Sequence, residues 1–249
     1  MTELVLEARG LTKCFGAVRA TDGASLDLRT GEIHALIGPN GAGKSTLIAQ
    51  LAGAIAPDAG TIWFAGREVT GLSMAARARA GLGRTFQISS LALDLSARRN
   101  VMMAVQGRLG SSFRFWRRAR QEAALVTPAD AALARVGLGE RAHIAVGTLS
   151  HGERRLVEVA AALALEPRLL LLDEPMAGLG LDGTEALTQL LAKLRDECPI
   201  LLIEHDMDAV FRLADRISVL VSGRVIATGP PATIREDPAV QAAYLGTAA

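Results

Sequence analysis

Apolar and polar residues alternate in LVLEA at 4–8, in SLDL at 25–28, and in TIWFAG from Thr61, just after the turn text PDAG. Alternation of period two marks strands with one buried face, so these segments predict an antiparallel β region in the first third of the chain. IHALIG from Ile33, LLLLDE from Leu169 and PILLIEH from Pro199 are instead short continuous apolar runs. Such runs predict strands covered on both faces in a parallel sheet. Between Phe86 and Leu149 the strand signal vanishes and Ala-, Arg- and Leu-rich helical text takes over, broken by GRLGSS and VTPAD. The Ala-rich text from Ala232 predicts one more helix. The pattern therefore predicts one α/β domain, with its core over about 1–87 and 165–249 and a helical subdomain inserted over about 88–164. No internal repeat or low-complexity segment interrupts it.

Composition changes this picture only by exclusion. With 249 residues, half of them apolar, the chain can bury a sizeable core unaided. Lys+Arg 27 against Asp+Glu 26 gives a net charge of +1, so no global field draws the chain to nucleic acid or to an anionic membrane. The two cysteines, Cys14 and Cys198, have no metal-ligand spacing and suit a reducing compartment. The start MTELVLEARG has no basic region followed by an apolar run, and no stretch reaches the roughly 18 apolar residues of a membrane span. A soluble cytosolic chain is expected.

Gly38 to Ser45, GPNGAGKS, satisfies G-x-x-x-x-G-K-[ST], with a predicted strand before it and the helix-like STLIAQLAG after it. In that context Gly38, Pro39, Asn40, Gly41, Ala42 and Gly43 form a turn whose N–H groups face an anion. Lys44 then reaches the β- and γ-phosphates, Ser45 ligates Mg²⁺, and Thr46 continues the helix start, so ATP and Mg²⁺ are the expected ligands. LLLLDE places Asp173 at the carboxyl end of a buried strand, where it can hold the Mg²⁺ shell. Glu174 beside it can orient and deprotonate a water for attack on the γ-phosphate.

LSHGE, Leu149 to Glu153, sets a serine beside a histidine. Adjacent residues on a helix or strand point in different directions, which disfavours a nucleophile–base pair, and Ser150 lacks the G-x-S-x-G elbow. Ser150 and Glu153 fit the S-x-x-E capping box, and Leu156, Val159, Ala160 and Leu163 follow at helical spacing. A helix begins here, and taken alone a simple cap accounts for the motif.

The order of the segments adds a second meaning. A P-loop, an inserted helical region, LSHGE on a helix start, LLLLDEP and then EHDM resemble the ATP-binding-cassette (ABC) ATPase family over nearly the whole chain. The resemblance implies that Ser150 and Gly152 contact the γ-phosphate of ATP held by an opposing subunit, in a motif typically written L-S-G-G-Q. Here His151 and Glu153 depart from that pattern. It further implies that Gln87 in GRTFQ senses Mg²⁺ and the attacking water, that His205 contacts the γ-phosphate, and that Phe15 in KCFG stacks on adenine. Gly180 in AGLGLD stands where the family commonly has aspartate.

A single cassette of this kind implies an ATPase subunit, peripheral on the cytoplasmic face of the inner membrane, docked on polytopic membrane permease subunits. It also implies a second ATPase subunit, either a copy or a relative. The text from Leu201 to Pro231 and the ending DPAVQAAYLG most resemble ATPases of branched-chain amino acid uptake. Urea-type importers and lipopolysaccharide-export ATPases share much of it and stay open as alternatives, as does a soluble non-transport switch. SSFRFWRRAR, Ser111 to Arg120, interleaves aromatics with arginines. A solvated helical face, a membrane-partner or lipid contact, and single-stranded nucleic acid are its three readings, and no nucleic-acid partner is expected of the chain.

Overall fold

The computed structural model describes residues 3–85, 91–109 and 123–245. Two sheets organise it. The first is antiparallel, in the order β2–β1–β4–β5, from β1 (Leu4–Phe15), β2 (Val18–Arg29), β4 (Ala59–Phe64) and β5 (Arg67–Glu68). The second has six strands in the order β10–β9–β3–β8–β7–β6, from β3 (Ile33–Ile37), β6 (Leu82–Arg84), β7 (Leu169–Asp173), β8 (Ile200–Ile203), β9 (Arg216–Val221) and β10 (Arg224–Gly229). Its pairings are parallel except for β10, which returns antiparallel to β9.

The continuous apolar runs have the two covered faces that their sequence predicts. In β7, Leu170 and Leu172 join a cluster with the helical residues Val101, Leu133 and Val157. Their neighbours Leu169 and Leu171 face the other way, among Leu47, Ile48, Ile62 and Phe64. β8 divides alike, with Ile200 and Leu202 on the first face and Leu201 and Ile203 on the second. Side chains alternate across a strand, so a strand roofed on both sides needs apolar residues at every position. Each fully buried Leu or Ile is worth about 1.5–3 kcal/mol.

The helical region consists of α3 (Ala97–Leu109), α4 (Ala123–Arg135) and α5 (His151–Leu163), which pack on one another. The break predicted at VTPAD is not a break: α4 runs through Pro128. Proline removes one helical hydrogen bond at a cost of about 3 kcal/mol, and here burial of Leu125, Ala129, Ala132 and Leu133 offsets that loss.

Three other expectations change. β1 and β2 are 12 residues each, far longer than 4–8 and 25–28, because register shifts between Ala8 and Leu11 and onward to Cys14 let the pair continue through text that looks like turns. β6, β9 and β10 join the sheet although the alternation did not mark them. The tail forms two helices, α8 (Pro231–Glu236) and α9 (Pro238–Leu245), because Pro238 cannot continue the first. Asp237 caps the second, its Oδ1 accepting from the Ala239 amide at 2.8 Å.

Candidate functional site

The chemistry-bearing residues collect at the carboxyl ends of parallel strands, where ligands of open α/β sheets bind. β3 ends at Ile37 and leads through Gly38–Gly43 into α1 (Lys44–Ala52). Gly43 has φ +104, and a Cβ there would stand 2.1 Å from the Ala20 carbonyl oxygen of β2, so no other residue lets the loop pass this close. Among the described residues no side chain caps the start of α1. Its first amides are therefore left for an external acceptor, at the positive end of the helix.

Lys44 is buried, and its Nζ donates to the carbonyls of Gly38 at 2.7 Å and Pro39 at 3.1 Å. Burial lowers its pKa, opposed by the negative charges of Glu174 and Asp173. The ammonium therefore lies within electrostatic reach of both acids. Ser45 is exposed and Thr46 half-buried on the same first turn.

Asp173 ends β7 at 1% exposure, and neither carboxylate oxygen has a hydrogen-bond partner among the described residues. Arg84 Nη2 stands 3.6 Å from Oδ2, an ion-pair distance longer than a hydrogen bond. Burial raises the Asp173 pKa, and Arg84 opposes that shift. A buried carboxylate with no hydrogen bond on either oxygen is costly even beside an arginine. A hard cation shared with phosphate oxygens fits it, and Mg²⁺ in such sites needs only one or two protein oxygens.

Glu174 has the left-handed φ of 49°, uncommon outside glycine. Its amide donates to the Ile203 carbonyl at 2.9 Å. Arg155 of α5 bridges to the same turn, its Nη2 donating to the carbonyls of Asp173 and Glu174 at 2.6 Å each and its Nε to Pro175 at 3.3 Å. The Glu174 carboxylate meets His205 just past β8, Oε1 to Nε2 2.9 Å. Next door, the buried Glu204 accepts from the amides of Met176 at 2.7 Å and His205 at 3.0 Å, and burial raises its pKa. Arg155 and Glu204 are not singled out by the sequence. The signals were the second arginine of GERR and the acid preceding His205, both easily taken for surface charges.

Ser150 caps α5 in a complete capping box: the Glu153 amide donates to Ser150 Oγ at 3.3 Å, and Glu153 Oε2 accepts from the Ser150 amide and hydroxyl at 2.9 Å each. The hydroxyl thus turns to Glu153, away from any role with His151. Hydrogen bonds from Ser150 hold the Glu153 pKa down, and Arg141 pairs with its other oxygen at 2.7 Å. Gly152 faces Leu179 in the loop after Glu174. Phe15 ends β1 half-exposed, with Lys13 Nζ 5.9 Å from its ring centre. Gln87 and the segment Ser111–Arg120 lie outside the described residues. Arg84 and Thr85 just before Gln87 are placed, with Thr85 Oγ1 accepting from the Asp173 amide at 3.4 Å.

A family model described as ABC transporter matches residues 21–177. The chain belongs to the ABC transporter ATP-binding cassette family. A second model, branched-chain amino acid ATP-binding cassette transporter, matches residues 224–249 of the cassette. The cassette is 39% identical over 257 residues to the high-affinity branched-chain amino acid transport ATP-binding protein BraF of Pseudomonas aeruginosa, covering 100% of both chains. It is 38% identical over 257 residues to the corresponding protein LivG of Escherichia coli, again covering 100% of both.

Among solved structures, a nucleotide-free ATP-binding cassette from an ABC transporter aligns with TM-score 0.88 and 28% identity, over 97% of this chain and 99% of that one. The ADP conformation of such a cassette aligns with TM-score 0.86 and 28% identity, over 98% and 99%. The expected fold class, a P-loop ABC ATPase core of α/β type, is thereby met. Among the described residues no helix is long and apolar enough to cross a membrane.

Proposed function

We propose that the cassette is the ATP-hydrolysing subunit of an importer of branched-chain or related amino acids. The observation that carries this reading is end-to-end similarity to BraF and LivG, at 39% and 38% identity, with the C-terminal segment matched separately. The cassette would sit on the cytoplasmic face of the membrane, docked on polytopic permease subunits and paired with a second ATPase, a copy or a relative.

In this reading the bare start of α1 and the glycine turn hold the ATP phosphates. Lys44 exchanges its two loop carbonyls for the β- and γ-phosphate oxygens, which are stronger, charged acceptors. Phe15 offers the adenine a half-exposed ring. Mg²⁺, held by Asp173 and Ser45 with Gln87 nearby, would neutralise charge on the phosphates. Glu174 takes the proton of the attacking water as general base, and His205, 2.9 Å away, orients its carboxylate and faces the γ-phosphate. Ser150 and Gly152 serve the ATP of the opposing subunit.

The test is genetic and biochemical together. Removing the gene should abolish uptake of leucine, isoleucine or valine, wild type should restore it, and Lys44→Ala should not. Tagged cassette should bring down polytopic membrane proteins. Intact uptake of these amino acids with lost urea uptake or lipopolysaccharide export would assign the cassette to those systems. Recovery of nucleic acid or ribosomes at physiological salt would replace transport altogether.

A further inference from the structure

The first turn of α5 and the loop after Glu174 are fitted to each other in one chain. Gly178 in that loop has φ +74, and a Cβ there would stand 3.0 Å from both Cε1 and Nδ1 of His151. One residue along each segment, a Cβ on Gly152 would stand 3.0 Å from Leu179 Cδ2. The loop is a tight one, the Ala177 amide donating to the Glu174 carbonyl at 3.2 Å and the Leu179 amide to Met176 at 3.1 Å. Arg155, one helical turn beyond His151, bridges to the carbonyls of Asp173 and of the strained Glu174 itself. His151, Glu174 and Gly178 line one groove of about 500 Å³.

We propose that His151 is a positioning residue for Glu174: its ring seats on Gly178 and fixes the loop that aims the carboxylate, so a side chain at 178 would crowd the ring and shift the loop. The proposal deepens the hydrolytic reading above and rests on Glu174 as the base. It gives the departure from L-S-G-G-Q a purpose within the chain, since the ring fills space that the bare loop backbone leaves. It also joins the helix start proposed to serve the opposing ATP to the base that acts on the chain's own ATP.

A left-handed φ alone would also demand glycine, so the test must separate strain from collision. Asparagine tolerates left-handed φ and carries a Cβ, so Gly178→Asn isolates the collision with the ring. In the assembled transporter, Gly178→Asn should lower kcat for ATP about 10- to 100-fold, the scale of an ångström-sized misplacement, with KM within about twofold. His151→Gly alone should stay within about tenfold of wild type. The double variant should turn over at least about fivefold faster than Gly178→Asn, because the clash is gone. His151→Phe, which keeps a ring, should outpace His151→Gly.

An equal penalty for Gly178→Asn with and without His151, or a rise in KM with kcat unchanged, overturns the proposal. Thermal melting of wild type, the two single variants and the double variant reads the contact without ATP: Gly178→Asn should lower Tm more when His151 is present than when it is combined with His151→Gly. No turnover in wild type together with coupled melting would fault the hydrolytic reading and keep the contact. Turnover with additive melting and additive rates would fault the contact and keep the hydrolytic reading.

Discussion

α1 and α5 both begin beside the candidate site, and they begin in opposite ways. α1 starts from Gly43 with no side-chain cap, after a glycine turn, with the buried Lys44 at its first position. α5 starts from Ser150 with its box closed by Glu153, an acid of its own chain. A helix start carries about half a positive charge and unmet amides, which something must satisfy. At α1 no side chain among the described residues caps the end, and in the proposed reading a phosphate of the subunit's own ATP completes it. At α5 the chain supplies a carboxylate countered by Arg141, so the end is stable without a ligand and can wait for one borne by another subunit. In the proposed reading the bare end is the site occupied in cis, and the closed end is one met only on assembly.

The largest expected effect lies between the two ends. Glu174→Gln removes the proton acceptor and keeps the binding groups, so kcat for ATP should fall by about 10²- to 10⁴-fold while ATP still binds, holding the two cassettes closed on nucleotide. Turnover near wild type would place the base elsewhere, with His205 next in line. Lys44→Ala strikes the bare end alone. Losing charged hydrogen bonds worth about 1.5–3 kcal/mol should weaken ATP binding by about 10- to 150-fold in a direct nucleotide-binding assay. Unchanged affinity would remove the P-loop from nucleotide binding.

Smaller effects belong to the closed end. Ser150→Ala should cost about 1 kcal/mol of stability through the lost cap, a drop of about 2–4 °C in Tm for a chain of this size. Glu153→Gln keeps the reciprocal hydrogen bond and removes the charge. It should lose a few tenths of a kcal/mol of helix stability and lower the ATP concentration that half-closes the paired cassettes by about two- to fivefold, since a negative charge near the phosphate is gone. A Glu153→Gln protein that needs more ATP would show that the charge helps assembly.

The bare end was legible in the sequence and much of its support was not. GPNGAGKS between an apolar strand and a helix states its geometry through residue types, because only glycine permits the close pass of Gly43 at Ala20. Asp173 and Glu174 were legible because an apolar run of four leucines ends on them. The capping box was legible because its spacing is local. Arg155 and Glu204 were hidden because their partners are backbone groups of Asp173, Glu174, Met176 and His205, brought close by strand order rather than by spacing. The contact of His151 with Gly178 was hidden for the same reason. Among the folded elements, β9 and β10 escaped notice because a mixed edge pair carries neither a clean alternation nor an unbroken apolar run, and the continuity of α4 escaped because Pro128 suggested a break that packing overrides.

In the proposed pair of cassettes the two helix ends serve different ATP molecules. Ser150→Arg, introduced into the Glu174→Gln protein and purified with its second ATPase subunit, tests it in one size-exclusion and nucleotide-binding experiment. The isolated cassette should bind ATP as tightly as its Glu174→Gln parent, while the ATP-dependent closed pair disappears at the site formed by the arginine-bearing helix. Loss of ATP binding in the isolated cassette, or a closed pair that forms undiminished, would contradict the division of labour between α1 and α5.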